Sequence, residues 1–249
     1  MNTSFFFSLH FLWMLLAAAN LLIQWTHFKN DKSHSLFTAK RITTPLLLFL
    51  ALLIVILETG GFPLIPCAIL VAMGIGELGM EGSDVVQSKM EGEGEKKADS
   101  IFVTLAGVLF LLVNIFIGGT LIMQNGEMTV ILISLTIAAL FLFGVFYQVI
   151  RIFKPASETR TQMLLYLIGI VILFTGTLAD IYTGISTLGI AATILTVSDS
   201  LVLIRMGANF RKNTASGFRT LAFFLVSILL LYYVYMAVLI HIGSPFVFR

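Results

Sequence analysis

Two carboxylates, Glu77 and Asp199, interrupt stretches otherwise apolar enough to cross a bilayer: Ala72-Met73-Gly74-Ile75-Gly76-Glu77-Leu78 and Thr196-Val197-Ser198-Asp199-Ser200-Leu201. A charged side chain at the centre of a membrane helix costs about 2.5–3.5 kcal/mol on insertion scales, so an acid there faces protein or a cavity rather than lipid. Two such acids can divide the work of proton donor and proton acceptor, or relay protons along a transport route. The other reactive residue types narrow the choice. No lysine falls within an apolar stretch, which leaves a retinal Schiff base without an anchor, and no GxxxxGK[ST] motif is present to hold a nucleotide. His10, His27, His34 and His241 are scattered without metal-ligand spacing, and the single cysteine, Cys67, permits neither an internal disulfide nor a cysteine-rich metal site. Packing is its expected role. Serines without a nearby histidine base make poor nucleophiles. Carboxylate chemistry or proton-linked transport remains, with neither metal nor cofactor expected.

The elements that must position these acids follow from composition. With 58% hydrophobic and 11% charged residues and a mean hydropathy of +1.01, the chain has too little polar surface to cover a soluble globule. It is expected to be all-α, a polytopic integral membrane protein whose residues 1–249 form one bundle of eight transmembrane helices. A bilayer core of about 30 Å takes roughly 20 apolar residues per helix. That pattern recurs from Ser4 to Gln24, Ile42 to Leu57, Phe62 to Met80, Ser100 to Met123, Met128 to Ile150, Gln162 to Ile181, Gly184 to Ile204 and Phe218 to Ile242. The first stretch lacks a basic n-region and is long, which favours a retained helix over a cleaved leader despite Ala17-Ala18-Ala19.

Orientation follows from the basic residues. Lys29, Lys32, Lys40 and Arg41 lie between the first two spans; Lys89, Lys96 and Lys97 between the third and fourth; Arg151, Lys154 and Arg160 between the fifth and sixth; and Arg205, Arg211, Lys212 and Arg219 at the last connection. Of fifteen lysines and arginines only Arg249 lies elsewhere. This alternation predicts four cytoplasmic loops and two external termini. The net charge of +2 therefore belongs to membrane anchoring and not to a nucleic-acid surface. Residues 81–99, EGSDVVQSKMEGEGEKKAD, are predicted to form a charged cytoplasmic loop that buries no core. Glu77 and Asp199 stand close to half the chain length apart, on the third helix of each set of four, as a parallel internal repeat would place them.

Both helices run inward, and each acid lies fifteen residues past its predicted entry at Phe62 or Gly184, about 22 Å deep at 1.5 Å per residue. Thr43 and Thr44 after Lys40, Tyr147 and Gln148 ending the fifth span, Gln162 and Tyr166 opening the sixth, and Arg205 are expected at that level. Thr193, Thr196 and Ser200 add a polar stripe beside Asp199. Gly74, Gly76 and Gly79 leave room for a neighbouring helix or a substrate chain. A polar pocket toward the inner leaflet is the consequence. For the threonines the ordinary alternative is a bond to their own backbone. Glu58 and Asp180, at external helix ends, are expected to be water-solvated structural acids, and Asn114 and His241 helix contacts outside the site.

Lys40-Arg41-Ile42-Thr43-Thr44-Pro45-Leu46-Leu47-Leu48 resembles the K-x-x-T-T-P-L-L-L opening of the second helix in the YhhN-type lysoplasmalogenase family. Gly189-Ile190-Ala191-Ala192-Thr193-Ile194-Leu195-Thr196-Val197-Ser198-Asp199-Ser200 is similar to its G-A-x-x-F-x-x-S-D-S segment. Gly76-Glu77 stands where the family has Gly-Asp, and the histidine that many members carry on the fourth helix has no counterpart. The resemblance implies hydrolysis of the vinyl-ether bond of lysoplasmalogen to a fatty aldehyde and glycerophosphoethanolamine or glycerophosphocholine. Glu77 and Asp199 would share the acid and base roles, much as paired carboxylates do in glycoside hydrolysis. Lys40, Arg41 and Arg205 would meet the phosphate of the lysophospholipid, or merely anchor the helices at the membrane lipid. The competing expectations are a proton-coupled transporter or lipid carrier using the same acid pair, and a non-catalytic scaffold.

Overall fold

The computed structural model describes residues 3–29, 34–59, 67–76, 93–155 and 157–208. Among these residues all regular structure is helical: α1 (Thr3–Lys29), α2 (His34–Thr59), α3 (Cys67–Gly76), α4 (Glu93–Asn125), α5 (Met128–Phe153), α6 (Ser157–Thr183) and α7 (Thr187–Ala208). The expected eighth span, Glu77, and residues 81–92 of the charged loop lie outside the described residues. Three stretches are long and apolar enough to cross a membrane, Thr104–Asn125, Met128–Phe153 and Arg160–Thr183; shorter apolar segments are Leu9–Ile23, Pro45–Leu57, Cys67–Gly76 and Leu188–Ile204.

Several helices outrun the apolar runs that announce them. α2 begins at His34 and takes Lys40 and Arg41 into its backbone ladder, and α4 begins at Glu93, so residues 93–99 of the expected loop are helical. Hydropathy ends where charge begins, but helical hydrogen bonding does not. Glu and Lys are good helix formers, and Glu93 and Lys97 have the four-residue spacing that favours a helix.

The chain divides into two compact units. The first holds nearly all of α1, with α2, α3 and α4 up to Val113. α1 buries Trp13, Ala17 and Asn20, one face at helical spacing, and α2 buries Leu47, Leu50, Ala51 and Ile54 in the same way. The Trp13 indole donates to the Leu47 carbonyl at 3.1 Å and the Asn20 amide to the Thr43 hydroxyl at 2.7 Å. Pro45 lies inside α2, where its ring removes one backbone donor. The free Cys67 is buried, as a packing residue would be.

The second unit holds α4 from Asn114 onward, with α5, α6 and α7. α6 is its centre, burying Met163, Leu167, Ile170, Leu173 and Ala179. α5 contributes one narrow stripe, Val130, Ser134, Ala138 and Leu142, and exposes Leu132, Ile133, Leu140, Phe141 and Phe143. So broad an apolar surface is stable against hydrocarbon and unfavourable against water. α4 meets α6 through glycine: a Cβ on Gly118 would lie 2.5 Å from the Ile172 carbonyl oxygen, and one on Gly176 2.5 Å from the Gly118 carbonyl oxygen. Such seams let helix backbones approach closely in a membrane.

The α6–α7 corner explains why α7 starts later than Gly184. Gly184 takes φ +131°, a conformation open to glycine, and Ser186 caps α7 by accepting the Gly189 N–H at 3.0 Å. Asp180 accepts the Ser186 N–H at 2.8 Å and is only 2% exposed, so the expected water-solvated acid is instead a buried corner post. Asp180→Ala would leave that backbone donor unsatisfied. It is expected to lower stability by about 1–3 kcal/mol, and Asp180→Asn by less because its carbonyl still accepts. Thermal unfolding of the detergent-purified protein measures both.

Candidate functional site

Asp199 occupies the middle of α7, on the face turned toward α4 and α6, and is 4% exposed. The Asn114 amide of α4, itself 1% exposed, donates to its Oδ2 at 2.5 Å. The phenol of Tyr166, buried on α6, is a second hydrogen-bond partner. Three helices thus each send one polar side chain to one point inside an apolar unit.

The energetics make the acid hard to explain as packing. A buried carboxylate forfeits several kcal/mol of hydration, and hydrogen bonds involving a charged group return about 1.5–3 kcal/mol each. Two neutral donors therefore roughly offset the burial and add little. Among the described residues no cation forms an ion pair with Asp199. Apolar side chains in place of the whole cluster, Asp199 together with Asn114 and Tyr166, would serve stability as well or better.

The other expected site residues divide sharply. Tyr166 joins Asp199. Tyr147 is 61% exposed on α5 and points away from the buried core of its unit. Thr196 and Ser200 turn back on their own helix, donating to the Ala192 and Thr196 carbonyls at 2.8 Å, and Thr193 does likewise to Gly189. Thr43 belongs to the first unit, bonded by Asn20. Lys40, Thr44 and Arg205 lie in helices, but their side chains, like all of Glu77, fall outside the described residues. Of the glycines expected to leave room for a neighbouring helix or a substrate chain, two receive neighbouring helices: Leu48 of α2 seats on Gly74, and the Phe110 ring of α4 lies 3.1 Å from where a Gly76 Cβ would stand; Gly79 lies outside the described residues.

Asn114 corrects the expectation that it lies outside the site. It stands eleven residues before the end of α4 at Asn125, and Asp199 twelve residues after the start of α7 at Thr187. Those two ends are neighbours, since the Thr183 hydroxyl at the α6 terminus donates to the Asn125 side chain and Asp180 of α6 holds Ser186. At 1.5 Å per residue both side chains are about 17–18 Å from the same end of the unit. The helical rise to Asp199 starts at Thr187, three residues later than the expected span start at Gly184. Matching distances from the paired ends would have brought Asn114 to its level.

Among the described residues no group of three or more histidine, cysteine, aspartate or glutamate side chains comes together to hold a metal. Comparisons with protein-family models, with curated proteins and with solved structures find no match to this chain.

Proposed function

We propose that this chain is an eight-helix polytopic membrane protein, both termini external, that hydrolyses the vinyl-ether bond of lysoplasmalogens by carboxylate acid–base catalysis. One observation carries the reading: a carboxylate buried among apolar helices and held by an amide and a phenol, with no ion pair among the described residues. Such an acid contributes little to stability and is equipped for proton transfer. The motif resemblance around Asp199 supplies the substrate class, and Glu77 is assigned from the sequence as the second carboxylate. Lys40, Arg41 and Arg205 are assigned to the phosphate at the cytoplasmic interface. The apolar surface of α5 is assigned to lipid.

The chemistry asks for one proton on the β-carbon of the vinyl ether, one water on the resulting oxocarbenium carbon, and collapse of the hemiacetal to aldehyde and alcohol. Purified protein given lysoplasmenylethanolamine in detergent or liposomes is expected to release fatty aldehyde in step with glycerophosphoethanolamine. A wild-type protein that stays inert where an authentic lysoplasmalogenase is active would sink this reading. Proton-dependent lipid flux across liposomes without hydrolysis would replace it with the carrier.

A further inference from the structure

We infer that Asn114 holds the attacking water against Asp199, which makes Asp199 the general base; this rests on the hydrolase reading above. Asn114 Nδ2 is committed to Asp199 Oδ2 at 2.5 Å. That orientation suits an ionised carboxylate, since the opposite one would set two acceptors face to face. The amide is planar, so its Oδ1 is held beside the carboxyl group. Oδ1 is fully buried and accepts no hydrogen bond from the described residues. Buried acceptors are rarely left so, and an ordered water is a usual partner. A water donating one hydrogen to Asn114 Oδ1 and the other to the Asp199 carboxylate has both donors engaged and a lone pair directed away from them.

The step then balances. The second carboxylate delivers its proton to the vinyl β-carbon, and the C=C π pair forms the new C–H bond, leaving an oxocarbenium ion. The water lone pair forms a C–O bond to the oxygen-bearing α-carbon of that ion while Asp199 takes the water proton, giving a hemiacetal. The hemiacetal O–H proton goes to the second carboxylate, the bond to the glycerol oxygen breaks with its electron pair, and that oxygen takes the proton held by Asp199. One water is consumed, and both carboxyl groups return to their starting states.

Asn114→Leu, which keeps the γ-branched shape but has no acceptor, and Asn114→Ala test the assignment against wild type in detergent. For a water-positioning residue kcat is expected to fall about 30- to 100-fold, with KM within about threefold. A second readout is one that a purely structural role leaves unmoved. In fixed methanol the ratio of mixed methyl acetal to aldehyde should rise in Asn114→Ala, where methanol competes for a water no longer held. A substrate lacking the glycerol C2 hydroxyl separates the two O–H donors available to Oδ1. If water is the occupant, Asn114→Leu loses as much rate on that substrate as on the natural one. Wild-type kcat in both variants, a loss confined to KM, an unchanged acetal ratio, or a deficit that vanishes with the deoxy substrate would each overturn the inference. If Asn114→Leu does not fold, the acetal ratio of Asn114→Ala decides alone. An inert wild type fails differently, removing the hydrolase reading itself.

Discussion

Replacing Asp199 by asparagine is expected to lower aldehyde release by about 10²–10⁴-fold, the range that a positioned acid or base contributes, while the purified protein remains folded. The reason lies in what the substitution keeps. An asparagine at 199 still presents a carbonyl oxygen to the Asn114 amide and the Tyr166 phenol, so the hydrogen-bonded shape of the α4–α6–α7 junction survives and the ionisable oxygen is lost. Asp199→Leu is the harsher comparison: it strands the buried Asn114 amide and Tyr166 phenol without their acceptor and is expected to lower stability by about 1–3 kcal/mol for each donor left unpaired, with activity abolished. Turnover on lysoplasmenylethanolamine, beside thermal unfolding and size-exclusion profiles of the same preparations, gives both quantities. Wild-type turnover in Asp199→Asn would refute the site. Glu77→Gln is expected to abolish turnover in the same way, on the sequence evidence for the second carboxylate.

A comparable effect on the fold is expected at the glycine seam. Gly118→Val sets a branched side chain against the Ile172 carbonyl and the Leu173 Cα, which are backbone atoms of α6 and cannot rotate aside. The helices must part. Overpacking costs about 1–3 kcal/mol where side chains can yield, and the upper end or beyond is expected here because they cannot. Gly119→Ala is the control, since a Cβ there meets nothing within 4 Å; it is expected to be neutral or stabilising by up to about 1 kcal/mol through helix propensity. Thermal or SDS unfolding curves of the two variants should move in opposite directions or differ widely. Equal curves would show that the seam does not hold α4 on α6. Gly118 also lies one helical turn from Asn114, on the same face, so Gly118→Val should lose activity in the fraction that still folds.

Much of this protein was readable residue by residue. Met128, the first residue of α5, is marked by the return of hydropathy after Asn125-Gly126-Glu127, because a short polar turn between two apolar runs leaves the chain one place to reverse. Asp199 stood out because an acid in Leu195-Thr196-Val197-Ser198 carries a solvation cost visible without coordinates. The polar ends were less readable. Glu93 to Asp99 reads as solvated loop, yet forms the first turns of α4, since helical hydrogen bonds do not depend on the polarity that hydropathy measures.

The identity of the partners belonged to packing. Tyr147 and Tyr166 are equivalent as letters, each at a span end, and one is exposed on α5 while the other meets the acid. Which face of a helix turns inward is set by the neighbours it seats against, and those are chosen by contacts such as Gly118 on Ile172. Asn114, in Leu112-Val113-Asn114-Ile115-Phe116, carries no local mark distinguishing a site residue from an interhelical glue residue. Its partner lies 85 residues away and is reached because two helix ends are tied at the same level. Solvation cost is a property of each residue in its own helix, so the one-dimensional chain already contains it. Direction and depth are properties of how helices register against one another, and these arise only when the backbones have closed on their glycines.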